Sequence, residues 1–173
     1  MKIILSRKAI DSSFWSGKVA SPILPCGCLL PVPIPYRPSD VRYSDIWFGK
    51  RSLDQICSEF PGWENELAHL DPDLRFESLA SDKRPTGWRP AFGQSGISAS
   101  HLNGHCVGEG DLFMFFGWFR KTKKNIDGQL AFDSEDRHGR HIIYGWLEVG
   151  QVIEADKPLA DDLRFLKGHP HVQ

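Results

Sequence analysis

Residues 112–119 read "LFMFFGWF". Eight consecutive apolar or small residues, rich in aromatics, leave no polar face for an amphipathic helix. A run this short and this apolar is a central strand covered on both faces. A second run, "HIIYGWLEVGQVI" at 141–153, has the same character, with Gly145 and Gly150 marking a bend or bulge. The polar loop between them carries no apolar stripe for a crossover helix to pack with. The two runs are therefore expected to pair as a long antiparallel hairpin.

The rest of the chain has to be built around that pair. Residues 1–5 read as a short strand. Six of the twelve prolines, Pro22, Pro25, Pro31, Pro33, Pro35 and Pro38, lie between residues 21 and 38. Proline lacks an N–H and fixes φ, so this is an extended edge segment rather than a helix or central strand. Within "LLPVPIP", Leu30, Val32 and Ile34 alternate with prolines and can lay one apolar face on a core. "SLDQICSEFPGW" predicts a helix that opens on a Ser52–Gln55 capping box and stops at Pro61-Gly62. A second short helix is expected from about Ser95 to Asn103. A last one starts at Pro158 and stacks Leu159, Leu163 and Leu166, with Gly168 ending it.

Composition narrows the class. The chain of 173 residues is 40% hydrophobic and 25% charged, the balance of one globular domain. A net charge of −1 gives no global attraction to nucleic acid, so any such binding must come from a local patch or be directed at single nucleotides. No apolar run approaches a membrane span, and Met1-Lys2-Ile3 runs into Ser6-Arg7-Lys8 too early for a signal peptide. A cytoplasmic protein without membrane partners is expected. The four cysteines, Cys26, Cys28, Cys57 and Cys106, fit no standard zinc spacing and read as reduced thiols. Six Trp and eleven Phe are a high load, useful for a core and for stacking on bases.

Three ordered blocks carry a resemblance: "MKIILSRK…DS…SPILPCGCLLPVPIP", "HLDPDL" at 69–74, and "FGQSG…HL…VGEGDLFMFFGWFR" followed by "HIIYGWLEVGQVI". Together they resemble the third of the nucleotide-modification-associated domain families, found in bacteria and phages beside enzymes that make modified DNA bases. The resemblance covers nearly the whole chain, as one domain over residues 1–173. It implies nucleotide or modified-base binding or processing in a DNA-modification or phage-conflict setting. In the family pattern a glycine usually follows the Ser-Arg-Lys, where this chain has Ala9. The family chain also tends to continue past "HPHV", so part of the C-terminal region is expected to be missing. The strand pair looks, more weakly, like that of PUA-like barrels of the ASCH and EVE types. The expected architecture is α+β: a mixed or antiparallel barrel-like sheet with short peripheral helices.

Several side-chain groups are candidates for chemistry. Ser6, Arg7 and Lys8, with Asp11 three residues on, have the donors of a phosphate grip. Residue types alone favour a solvated strand rim, and the family match favours function. His69, Asp71 and Asp73 share a turn around Pro72 and can serve as acid and base or hold a hard cation. Turn chemistry is an equal reading. Asp11 and His101 are the distant residues to test beside them. Gln94 offers a donor and an acceptor for a base edge, whereas Asp111 reads as a cap for the Gly-rich turn. His101-x₃-His105 is not read as zinc-binding, because Gly104 is expected to break the helix between them. Arg120, Lys121, Lys123 and Lys124 read as a charged hairpin loop, and His169-Pro170-His171 as a frayed end. Trp118 and Trp146 are the aromatics for base stacking. Trp146, sharing its strand face with Tyr144 and Glu148, is the more open. The catalytic candidates are thus Asp11, His69, Asp71, Asp73 and His101, and the binding candidates Ser6, Arg7, Lys8, Gln94 and Trp146. No metal ligand set, cofactor or oligomeric state is assigned. A non-catalytic reader of modified bases is the alternative to an enzyme.

Overall fold

The structure is a computed structural model and describes residues 1–10, 20–61, 63, 66–155 and 157–172. Asp11, one of the candidate residues, lies outside the described residues, as does Gly62 at the expected helix stop.

One strand organises the molecule. β5 (Leu112–Lys124) pairs with four others. β1 (Ile3–Arg7) runs parallel to its first half, Ile3 opposite Leu112 and Arg7 opposite Phe116. β2 (Ser21–Ile23) runs parallel to its second half, with Ser21 opposite Phe119. On the other edge, β6 (Leu130–Phe132) and β7 (Arg140–Glu148) return antiparallel. The expected long hairpin is present, and the sheet is mixed. No closed barrel forms among the described residues, so the barrel-like and PUA-like expectations are not supported.

β5 is central, but only one of its faces is covered. Phe113, Phe115 and Phe119 are buried, while Leu112, Met114, Phe116 and Trp118 are half-buried. β1 agrees: Ile3 and Leu5 are exposed and Ser6 is buried. Apolar residues on both faces of the sequence run therefore do not mean cover on both faces. A bulge interrupts β7, since Phe115 faces Gly145 but Phe116 faces Ile143. Tyr144 is the extra residue. It leaves the face of Trp146 and packs edge-on to buried Phe119, ring centroids 6.1 Å apart.

The main core gathers the proline-rich segment and the first helix. Leu30 and Val32 are fully buried, with Ile34 partly so, as the alternation predicts. α1 (Leu53–Cys57) opens on the expected Ser52–Gln55 capping box and buries Leu53 and Ile56 beside Tyr43 and Ile46. A two-residue antiparallel ladder, β3 (Trp47–Phe48) with β4 (Arg51–Ser52), precedes it. α2 (Gly96–Gly104) is as placed from sequence, but buries no residue. The last helix is shorter and tighter than expected, a 3₁₀ segment over Asp161–Leu166. It buries Leu163, Phe165 and Leu166 in a second cluster, against Ala91, Leu159 and Val172.

Candidate functional site

Four separate segments converge on Asp71. Ala68 bridges Pro35, and the His69 N–H donates to Ile34 at 2.8 Å, so the proline-rich segment fixes the start of "HLDPDL". Beyond the cis Asp71–Pro72 bond, Asp73 and Ala91 exchange backbone hydrogen bonds at 2.9 and 3.0 Å, which brings in Phe92 and Gly93. At the end of β1 the Lys8 N–H donates to Phe116 at 2.9 Å. The C-terminal segment enters through Gly168, whose φ of +99° suits glycine, and the His169 N–H donates to Leu166 at 2.8 Å.

The Asp71 side chain is fully buried at the centre. The Lys8 ammonium donates to Oδ2 at 2.8 Å and also lies 4.6 Å from the Phe92 ring centroid. The Gly93 N–H donates to Oδ1 at 2.8 Å. His169 Nε2 stands 3.5 Å from Oδ1 and His171 Nε2 3.4 Å from Oδ2. Both imidazole nitrogens are buried without a well-formed hydrogen bond. Burial alone would raise the Asp71 carboxyl. The two imidazoles and the Lys8 ammonium outweigh it and hold the carboxyl well below the usual range, so Asp71 is an anion. His69 completes the group, edge-on to His171 at 5.1 Å and to Tyr36 at 4.9 Å. Burial holds its pKa below the ordinary value, partly offset by Asp71. Gly93 is required here for space: a Cβ on it would lie 2.6 Å from the His171 ring. A cleft of about 110 Å³, lined by Tyr36, Ser39, Asp40 and His169, opens beside the cluster.

The sequence candidates divide. Asp71 and His69 meet, but Asp73 turns away. It accepts a bidentate pair from Arg84 and a hydrogen bond from Trp88 Nε1 at 2.9 Å. Arg84, buried like Asp73, also donates to Phe76 at 2.8 Å and stacks over the Trp88 ring. This is a bracing network, complete without a ligand. His101 lies on α2, paired with His105 at 4.5 Å between ring centroids, because the helix continues through Gly104 rather than breaking before it. Gln94 follows Gly93 and is half-buried. Asp111 caps the turn as expected, accepting from Gly108 at 3.1 Å and from the Lys2 backbone at 2.6 Å.

Ser6, Arg7 and Lys8 do not act as one grip. Ser6 is buried under the sheet, Lys8 reaches Asp71, and Arg7 is exposed on the opposite face from Ser6. That face is open. Arg7 lies opposite Phe116, which lies opposite Ile143; Leu5 lies opposite Met114, which lies opposite Trp146. Trp146 is 66% exposed. Trp118 lies further along, opposite His141, its Nε1 donating to His138 at 2.9 Å. A shallow depression of about 620 Å³ runs over Leu112, Met114, Ile143 and Trp146.

His169 and His171 are members of the cluster that sequence reasoning set aside as a frayed end. A turn closed by the Val172 N–H on His169 at 2.9 Å, and Val172 itself in the second core, hold them in place. The available signal was two imidazoles one residue apart around Pro170.

These features define a mixed-sheet α/β domain with a buried carboxylate–imidazole cluster and an open aromatic sheet face. The chain belongs to the nucleotide modification associated domain 3 family, whose model matches residues 2–173. Comparison with curated proteins gave no match, and comparison with solved structures gave none. Among the described residues no helix is long and apolar enough to cross a membrane.

Proposed function

We propose that the protein binds a nucleotide or a modified base of nucleic acid on the open sheet face, within a DNA-modification system. The observation that carries this is the register of Arg7 and Trp146. Both are exposed on one face, on the strands flanking β5, with Phe116 and Met114 between them. An exposed indole is a stacking platform that tolerates any base, and a guanidinium takes phosphate oxygens bidentately. The family's association with nucleotide modification supplies the setting. Titration of the protein with labelled oligonucleotides, modified and unmodified, tests the reading by fluorescence anisotropy. Saturable binding that weakens with salt supports it, and no binding by any oligonucleotide or mononucleotide overturns it.

A second reading, processing of a nucleotide bound in the cleft beside His169 rather than on the sheet face, is favoured by the Asp71 carboxylate among imidazoles, groups of the kind used in acid–base work. Mass spectrometry of nucleotides incubated with the protein separates it from a reader function. A product lost in Asp71→Asn marks an enzyme.

A further inference from the structure

We propose that His69, Asp71 and His171 bind a divalent transition-metal ion of the zinc class. Their ligand atoms lie within 4.8 Å of one another, and among the described residues they form the group of three that does so. One edge of the coordination shell already has the right length. Tetrahedral bonds of about 2.0–2.1 Å give ligand–ligand edges of about 3.3–3.4 Å, and Asp71 Oδ2 is 3.4 Å from His171 Nε2. That nitrogen is buried and makes no hydrogen bond, as a ligand atom waiting for an ion does. Imidazole with one carboxylate is a donor set for zinc-class ions rather than for calcium or magnesium.

The neighbours fit supporting roles. The His171 backbone N–H donates to His169 Nδ1 at 3.3 Å, which turns Nε2 toward Asp71 Oδ1, 3.5 Å away. The Gly93 N–H thus holds Oδ1 and leaves Oδ2 for the ion, the arrangement that outer-shell groups give a ligating carboxylate. Lys8 is the competitor, since its ammonium occupies Oδ2 at 2.8 Å. The ammonium also lies 4.6 Å from the Phe92 ring, a cation–π contact that can keep it when the ion takes Oδ2. The half-buried His69 ring closes the set by rotation. Three protein ligands keep a position for water or a substrate oxygen, the composition of a catalytic site rather than a structural one.

The test uses chelator-stripped protein dialysed against Zn²⁺, Mn²⁺, Co²⁺ and Ni²⁺, with bound metal measured by atomic emission. The proposal expects one equivalent of at least one ion. His171→Ala weakens binding by 10–100-fold or more, the scale on which even an outer-shell loss acts. Lys8→Met, which removes the competing ammonium, tightens it by about tenfold, and a His101→Ala, His105→Ala double variant leaves it unchanged. Circular dichroism confirms that each variant is folded. Failure of both the parent and Lys8→Met to bind any of the ions overturns the proposal, as does binding indifferent to His171→Ala or lost with the His101 and His105 pair. The assay contains no nucleotide, so its outcome is independent of the sheet-face reading.

Discussion

The Lys8 ammonium and the Asp71 carboxylate meet at 2.8 Å across 63 residues of sequence. That contact splits the N-terminal Ser-Arg-Lys into three separate jobs. Ser6 faces the interior, Arg7 faces the open sheet surface, and Lys8 turns to the buried anion.

Because Arg7 is exposed, its removal should act mainly on binding. Arg7→Ala is expected to weaken nucleotide or oligonucleotide binding by about 1.5–3 kcal/mol, the range for hydrogen bonds to charged groups. Its melting temperature should change little, since an interaction of an exposed side chain is worth about 0–1 kcal/mol. Anisotropy titration and thermal unfolding, run on the same preparation, check the two halves.

Trp146 and Phe115 sit on opposite sides of the sheet, one exposed and one fully buried. Trp146→Ala should fold normally and lose about 1–3 kcal/mol of base binding, the value of one stacked base. Phe115→Ala should instead lose about 3–5 kcal/mol of stability by leaving a cavity. Urea unfolding of both variants distinguishes platform from core, and a Trp146→Ala protein that unfolds early would move that indole into the core.

Arg84 and Asp73 are both buried and paired. Arg84→Met leaves the Asp73 charge without its main partner, which costs about 3–5 kcal/mol when a buried pair is broken from one side. Metal uptake by a variant that remains folded should equal that of the parent, because Asp73 does not face Asp71. Loss of metal at full stability would bring Asp73 back among the functional residues.

Ala9 holds a φ of +72°, the left-handed region where a Cβ costs about 1–2 kcal/mol. Ala9→Gly relieves that strain and gives back about 0.5–1 kcal/mol through the freer unfolded chain. A net gain of up to about 1 kcal/mol is expected, read as a higher urea midpoint at unchanged slope.

Elements with local signals were legible in the sequence. The Ser52–Gln55 box marks its helix in four residues, and Leu30 and Val32 show their buried face through strict alternation. β5 was placed as central, but its open side was not, because Leu112 and Met114 look the same in sequence whether or not anything covers them. Tyr144 was put on the face of Trp146 because counting by twos fails at a bulge. The cluster was half legible. His69 and Asp71 stand two residues apart, whereas His169 and His171 arrive through the Leu163–Val172 packing, which no spacing within "HLDPDL" encodes. Asp73 was grouped with them by proximity in sequence, and Arg84, eleven residues on, outbids any ligand for it.

The position of β5 also sets the order in which a growing chain can become a sheet. Among the described residues β1 has no strand partner until Leu112 has been made, and the Lys2–Asp111 contact closes over 109 residues. β5 and β7, by contrast, are joined by a short local excursion through β6. Loop closure makes the distant pairing slow and the hairpin fast. On the ribosome, Ile3 and Leu5 therefore wait as an unpaired apolar edge until β5 has emerged, open to chaperones or to aggregation. A ribosome-bound chain stalled after residue 105 should leave β1 accessible to protease, and one stalled well past Glu148 should protect it.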